Sequence, residues 1–210
     1  MGSQTDDEGA RRWQIAVTAG TFDAGLRFAG DFDLEMSEVL ALLSVGYRVT
    51  DDLTVGLRAG AVLDGELRAG GRTWDVKPGG VVSLQGEYRL LAAPSDPVTL
   101  TAGIALASSF ASTEEVGGGG ETASLTAFDL RASLTVSRTL WSVLTPYFSA
   151  RAFGGPALWS RDGVDVTGSD RGHYQLALGV SVAPAPWLAL SFEWAFLGET
   201  ALYGQVALAF

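Results

Sequence analysis

The sequence predicts an all-β fold: a transmembrane antiparallel up-and-down β-barrel of about 10 strands, with eight strands as the fallback count. Three observations predict it. Apolar residues recur at every second position, which is the period of a strand and not of a helix. The connections between these runs alternate between short and long, and large aromatic residues collect near both ends of the runs.

Composition indicates one folded domain. The chain has 210 residues, of which 47% are of hydrophobic type and 18% are charged. We expect residues 1–10 to be a disordered acidic tail and residues 11–210 to form a single transmembrane barrel. Met1-Gly2-Ser3 is interpreted as a remnant of cloning that stands where an exported protein has its signal peptide.

Charge and residue usage exclude several functions. The net charge of -10 opposes binding to nucleic acid, since a polyanion needs a basic surface. The absence of cysteine excludes disulfides and thiolate chemistry. No run approaches the roughly 20 consecutive apolar residues that a membrane-spanning helix needs.

The alternating runs define the predicted strands. In the first, Trp13, Ile15 and Val17 oppose smaller or polar neighbours, and the last run ends at Phe210. The ten runs cover residues 13–20, 38–48, 53–61, 82–90, 98–106, 128–136, 147–153, 173–182, 188–196 and 202–210.

The connections suggest an orientation. Short turns are expected near residues 50–52, 92–97, 138–145 and 183–186, and long polar links at 23–35, 64–78, 113–122 and 156–172. Glycines 117–120 are expected at a flexible loop tip. Short turns on one rim and long loops on the other are typical of outer-membrane barrels, whose short turns are periplasmic.

Aromatic residues near both rims predict two girdles at the depth of the lipid headgroups. There the ring is buried in lipid while its polar atom stays in contact with water. The predicted girdle residues are Trp13, Tyr47, Tyr88, Trp141 and Trp187 at the short-turn rim, and Trp159, Tyr174 and Trp194 at the other.

Charged residues on the runs fall on the less apolar face. A charge facing lipid at mid-depth costs roughly 2–4 kcal/mol, so this face is predicted to point into the lumen. The predicted network of lumen charges comprises Glu38, Arg48, Arg58, Glu87, Arg89, Asp129, Arg131, Arg151 and Glu193. Two interpretations stay open: a structural network that fills the lumen, or a narrow passage for ions or a small solute, whose arginines favour anions.

Over residues 12–210 the chain resembles the small outer-membrane β-barrel superfamily of the OmpA-like and OmpW-like kind. In that family an aromatic C-terminus on an alternating strand is recognised by the barrel assembly machinery, and Val206, Leu208 and Phe210 match that signal. Gln205 stands where the family usually has glycine. The resemblance implies a monomer in the bacterial outer membrane, in contact with the lipid bilayer and lipopolysaccharide, with no cofactor.

An enzyme is the first alternative, with an active site at the extracellular rim around His173, the only histidine. Asp162, Asp165 and Asp170 are near it in sequence. Lipid A deacylase barrels have a serine two residues after their histidine, where this chain has Gln175, and the Asp-x-His arrangement of protease barrels is replaced by Arg171-Gly172-His173. We therefore predict no catalytic residue.

Two further alternatives concern ligands. The pairs Asp31/Asp33 and Asp162/Asp165 are weak candidates for calcium, because spaced acids in loops usually only improve solubility, and we predict no metal site. A soluble barrel of the lipocalin-like or avidin-like kind requires the reverse arrangement of faces, with apolar side chains inside around a ligand.

Overall fold

The computed structural model describes residues 12–28, 32–92, 98–117, 122–161 and 164–210. Within these ranges the chain is all-β, as predicted. The described part contains no helix long and apolar enough to span a membrane. The predicted acidic tail and most of the predicted glycine loop tip lie outside the described residues, as do Asp31 and Asp162.

Thirteen strands make up the described chain. They are β1 (Trp13–Phe28), β2 (Phe32–Arg48), β3 (Leu53–Ala69), β4 (Arg72–Val76), β5 (Gly79–Ala92), β6 (Val98–Glu115), β7 (Thr122–Arg138), β8 (Leu144–Gly154), β9 (Pro156–Arg161), β10 (Val164–Asp170), β11 (Tyr174–Ala185), β12 (Leu188–Phe196) and β13 (Thr200–Ala209).

Ten of these strands close into an antiparallel ring, which we call the lower ring. Its order is β1–β2–β3–β5–β6–β7–β8–β11–β12–β13, and β13 pairs back onto β1 from Gln14↔Ala209 to Asp23↔Thr200. The prediction of about 10 strands is therefore confirmed for this ring. The total is higher because three of the predicted runs continue past an interruption, as β4/β5, β8/β9 and β10/β11.

Eight strands close a second ring above the first, which we call the upper ring. Its order is β1–β2–β3–β4–β6–β7–β9–β10, and β10 closes it onto β1 at Leu26↔Asp170 and Phe28↔Gly168. The β12–β13 hairpin ends at Phe196 and Thr200, below this level. The barrel thus tapers from ten strands to eight.

Glycine permits one of the interruptions. A Cβ on Gly155 would lie 1.7 Å from the carbonyl oxygen of Phe128, so the backbones approach too closely for any side chain. At this residue β8 ends and the chain continues as β9, still paired with β7.

The lower ring has an apolar outer face and a polar or small inner face. Leu84 is 61% exposed, and Val17, Leu57 and Ile104 are exposed in the same way on their strands. The inward neighbours Ala16 and Ser44 are buried. This is the arrangement of a transmembrane barrel, and it is the opposite of the one a soluble ligand-binding barrel requires.

The upper ring reverses this polarity. Its outward residues include Asp33, Glu35 and Asp75, which are exposed, whereas inward residues such as Leu34 and Leu67 are fully buried. An eight-stranded barrel is just narrow enough for side chains to fill its interior. The buried cluster that does so, which we call the apolar plug, consists of Leu26, Phe28, Leu34, Val62, Leu67, Ala69, Trp74, Val76, Ala123, Leu125, Ala157 and Trp159.

Two tryptophans form the centre of the apolar plug. The rings of Trp74 and Trp159 meet edge to face with centroids 5.2 Å apart, and Trp159 Nε1 donates to Thr113 Oγ1 at 3.3 Å. Trp159 is only 5% exposed. Its predicted place in the aromatic girdle is therefore wrong: above Gly155 the inward face is the apolar one, and Trp159 follows that face into the interior.

We expect Trp159→Ala to lower the free energy of unfolding by about 3–5 kcal/mol, because it removes a large buried side chain from a filled interior. Urea unfolding in detergent micelles, followed by circular dichroism, measures the change. Trp187→Ala, at a position that is 52% exposed, is the control and should change the stability much less. Equal losses for the two variants would contradict a packed plug.

Candidate functional site

The candidate site is a group of charged and polar side chains inside the barrel, directly below the apolar plug. Arg131 on β7 is its centre. The guanidinium of Arg131 lies 2.8 Å from Glu199 Oε2 and 3.0 Å from Asp129 Oδ2. Its Cζ also stacks 4.5 Å from the ring centroid of Phe153, which fixes its plane.

A second ion pair lies beside the first. Arg151 Nη1 and Nη2 donate to the two carboxylate oxygens of Glu193 at 2.8 and 2.7 Å, which is a bidentate pair. Gln175, only 1% exposed, joins the pairs: its Oε1 accepts from Arg151 at 3.0 Å and from Arg131 at 3.4 Å. Its Nε2 donates to the backbone oxygen of Glu199 at 3.4 Å. We call these residues the lumen network.

Alternation along the strands places these side chains inward, and small residues make room for them. A Cβ on Gly179 would lie 2.1 Å from Cζ of Tyr147, so the tyrosine ring occupies the space that a side chain there would need. Tyr147 and Phe153 face inward near the two ends of β8.

Four of the nine predicted lumen charges meet in the lumen network: Asp129, Arg131, Arg151 and Glu193. Arg58 also enters the interior, where its Nε is buried without a hydrogen-bond partner in the described part of the chain. Glu38 is buried opposite Phe22 and Gly65, and within the described ranges no hydrogen bond or ion pair reaches its carboxyl group.

The remaining predicted charges, Arg48, Glu87 and Arg89, lie near the short-turn rim. Glu87 is exposed although its Cγ lies only 3.8 Å from the position of a Cβ on inward-facing Gly103. An inward side chain can be exposed only where water reaches it, so the lumen is open at this end. The interior is therefore a cup, open at the short-turn rim and closed by the apolar plug.

Sequence reasoning missed Glu199 and Gln175. Glu199 belongs to the turn between β12 and β13, where Leu197 and Gly198 have φ values of 72° and 83°. These left-handed residues turn the carboxylate of Glu199 inward, and no strand periodicity could have indicated this. Gln175 is uncharged and was considered only as the residue in place of the deacylase serine, so it is absent from the predicted lumen charges.

Outside the wall, the taper leaves a concavity of about 630 Å³ just above the apolar band. We call it the outer groove. Outward carboxylates and two arginines line it: Asp23, Glu35, Asp64, Glu66, Asp75, Arg68 and Arg171. Ion pairs hold its upper edge, where Arg27 Nε donates to Asp33 at 3.0 Å and lowers the pKa of that carboxyl group.

Of the two described acids in the enzyme alternative, Asp170 lies near enough to His173 for an electrostatic interaction, whereas Asp165 lies further along β10. The ring of His173 lies against Gly154, with Nδ1 3.2 Å from the position of a Cβ there. Asp165 pairs with Ser160 towards the far end of β10, and Asp170 is half-buried, which raises the pKa of its carboxyl group. No group of three or more potential metal ligands is present among the described residues.

The predicted girdle residues other than Trp159 lie on the outer surface or at the short-turn rim. Trp13 and Tyr47 stack with centroids 4.8 Å apart. The others are exposed, namely Tyr88, Trp141, Tyr174, Trp187 and Trp194. A role for them at the headgroup depth stays a prediction.

No protein-family model matches the chain, and no curated protein matches it. Among similar solved structures, the outer-membrane protease OmpT from Escherichia coli has a TM-score of 0.54 at 10% identity, covering 100% of this chain and 97% of that one. The translocator domain of the autotransporter NalP from Neisseria meningitidis has a TM-score of 0.51 at 12% identity, covering 98% and 90%.

The transport unit of the autotransporter AIDA-I from Escherichia coli is similar to the same degree, with a TM-score of 0.51 at 10% identity, covering 100% of this chain and 93% of that one. At 10–12% sequence identity the similarity concerns the fold alone. The same fold serves a protease in one of these proteins and transport in the other two, so it does not indicate a function. The chain therefore has the fold of an outer-membrane β-barrel, while the finer resemblance to OmpA-like or OmpW-like barrels stays a prediction.

Proposed function

We propose that the chain is an integral protein of the bacterial outer membrane and a monomeric structural scaffold, whose lumen is closed along the barrel axis. The reversal of polarity between the two rings carries this proposal. Lipid favours the apolar outer face of the lower ring, and water favours the charged outer face of the upper ring.

The height of the apolar band fits a bilayer. From Trp13 to Asp23, ten steps of about 3.3 Å at a tilt of about 40° rise roughly 25 Å. The outward residues change from apolar to charged at Asp23, where this length ends. The charged outer groove then lies at the depth of lipid headgroups, where contact with lipopolysaccharide is expected.

An axial passage for anions finds little support. Above the lumen network the apolar plug fills the eight-stranded interior. The guanidinium groups of Arg131 and Arg151 are already occupied by carboxylates. A passage lined by arginines needs unpaired ones along a continuous path.

Insertion and closure have a direct test. The protein should require detergent, migrate faster in SDS gels before boiling than after it, and insert into planar bilayers without steady conductance. Brominated lipids should quench a variant that keeps Trp187 as its only tryptophan, but not one that keeps only Trp159. A protein that is monomeric in plain buffer, or equal quenching of both variants, would contradict the proposal.

The scaffold role assigns the lumen network to rigidity. Arg151→Met leaves the partly buried Glu193 without its bidentate partner, and we expect it to cost about 1–3 kcal/mol of stability. Arg151→Met combined with Glu193→Leu should recover most of that loss, because replacing a whole buried pair by apolar residues is often neutral. Unfolding in micelles measures both variants, and a double variant as unstable as the single one is the contrary result.

The C-terminal residues are proposed as the signal to the barrel assembly machinery. Val206 and Phe210 are exposed on or beside β13. Phe210→Ala should reduce the folded, heat-modifiable protein in the outer-membrane fraction of expressing cells. Leu202→Ala, an exposed apolar position on the same strand, is the control, and an equal reduction for both would remove the special role of Phe210.

A further inference from the structure

The turn between β12 and β13 differs from the other connections at the closed end of the barrel. We call Leu197, Gly198 and Glu199 the hairpin tip. The other hairpins at this end extend into the upper ring, whereas β12 and β13 stop at Phe196 and Thr200. The hairpin tip therefore lies beside the apolar plug's lower edge, in the side of the wall.

On its inner side the hairpin tip is held by charge. Glu199 is buried, and its carboxylate receives Arg131 from the opposite side of the lumen network at 2.8 Å. The amide of Gln175 adds weaker contacts to Glu199 at 3.4 and 3.5 Å. These contacts come from β7 and β11, which do not pair with β13.

On its outer side the hairpin tip borders the outer groove. Gly198 and Thr200 line that groove together with Asp23 and Arg171. Thr200 Oγ1 donates to Asp23 at 3.4 Å, on the exposed surface. Hence the hairpin tip lies between the outer groove and the lumen network.

The backbone of the hairpin tip is in an unfavourable conformation. Leu197 has a φ of 72°, which residues other than glycine rarely adopt, and its side chain is 59% exposed. Burial of Leu197 therefore does little to hold this conformation. The turn is held by the contact of Glu199 with Arg131 and by the close packing of Gly198 against the carbonyl oxygen of Tyr174.

From this arrangement we infer that the hairpin tip is a side gate: when the Arg131–Glu199 pair breaks, the tip swings outward and joins the lumen to the outer groove. The inference rests on the proposed function, in which the lower ring spans the membrane and the axis is closed. The outer groove carries more carboxylates than arginines, so the path suits small cations.

Glu199→Gln tests the gate, since it keeps the shape of the side chain and removes its charge. In planar bilayers we expect brief openings with an open probability at least about tenfold above that of the unaltered protein. The reversal potential in a KCl gradient should show that potassium passes in preference to chloride. Arg131→Gln should have the same effect from the other side of the pair.

An engineered disulfide tests whether the hairpin tip has to move for the openings to occur. Asp23 and Thr200 are directly opposed in the β1–β13 pairing, at a spacing that suits a disulfide, and the chain has no other cysteine. Adding Asp23→Cys and Thr200→Cys to the Glu199→Gln variant should silence it when oxidised and restore openings after reduction. Glu114→Gln, which removes the 2.9 Å pair with Lys77 away from the hairpin tip, is the matched control and should stay silent.

Three outcomes would overturn the gate. The first is that the Glu199→Gln and Arg131→Gln variants insert and are heat-modifiable but show no openings. The second is that the oxidised disulfide leaves the openings unchanged, since ions would then follow another path. The third is that neither the Glu199→Gln nor the Arg131→Gln variant inserts while Glu114→Gln does, since the pair is then a structural tie. Failure of the unaltered protein to insert refutes the proposed function instead.

Discussion

The structure depends on a wall that is one strand thick and must satisfy two different solvents. Within hydrocarbon, every backbone amide and carbonyl must be paired in the wall itself, so the sheet has to close. Closure leaves each side chain only two directions, outward or inward. The outward direction faces lipid in the lower ring and water in the upper ring. A reversal of polarity at the boundary is the direct result, and it marks that boundary at Asp23 on β1.

The taper follows from the same constraint. A ten-stranded ring encloses more space than inward side chains of small size can fill, so its interior is wet and can hold charge. An eight-stranded ring is filled by its side chains. Where the outward face no longer meets lipid, the inward face can become apolar, and Trp74 and Trp159 then close the interior as a soluble protein's core would. The charged lumen network in the lower ring and the apolar plug in the upper ring thus both follow from the change from ten strands to eight.

Much of the lower ring could be predicted from the sequence because lipid imposes a strict period of two. Leu57, Leu84 and Ile104 show this pattern over neighbouring strands, and all three are exposed as expected. The same rule gives the wrong place for Trp159. This residue lies in the upper ring, where the apolar face of the wall points inward and not towards lipid. The soluble-barrel alternative, wrong for the lower ring, describes the arrangement of faces in the upper ring.

The candidate site was harder to predict because it depends on contacts between distant strands. Periodicity places Arg131 and Arg151 inside, but it cannot say that a glutamine from β11 will join them. Glu199 was missed because its direction is set by two left-handed residues and not by alternation. The register between β8 and β11 that brings Arg151 opposite Gln175 depends on both strands being in place.

Arg131 adds a charged contact at the end of the β12–β13 hairpin, which does not extend into the upper ring. The neighbouring β1 continues into the upper ring, whereas the β12–β13 hairpin ends below it, with Ala195↔Ala201 and Asp23↔Thr200 as its last strand pairs. Side chains add to these pairs, and the site lies beneath an apolar plug where a lone charge would be costly. An arginine shared between Asp129 and Glu199 meets both needs, since it neutralises a carboxylate of the wall and draws the hairpin tip inward. A tie made of charge is stronger than a neutral hydrogen bond where its partner is as buried as Glu199, yet it is lost when either partner is neutralised. That combination is the physical basis for placing the proposed gate at this hairpin.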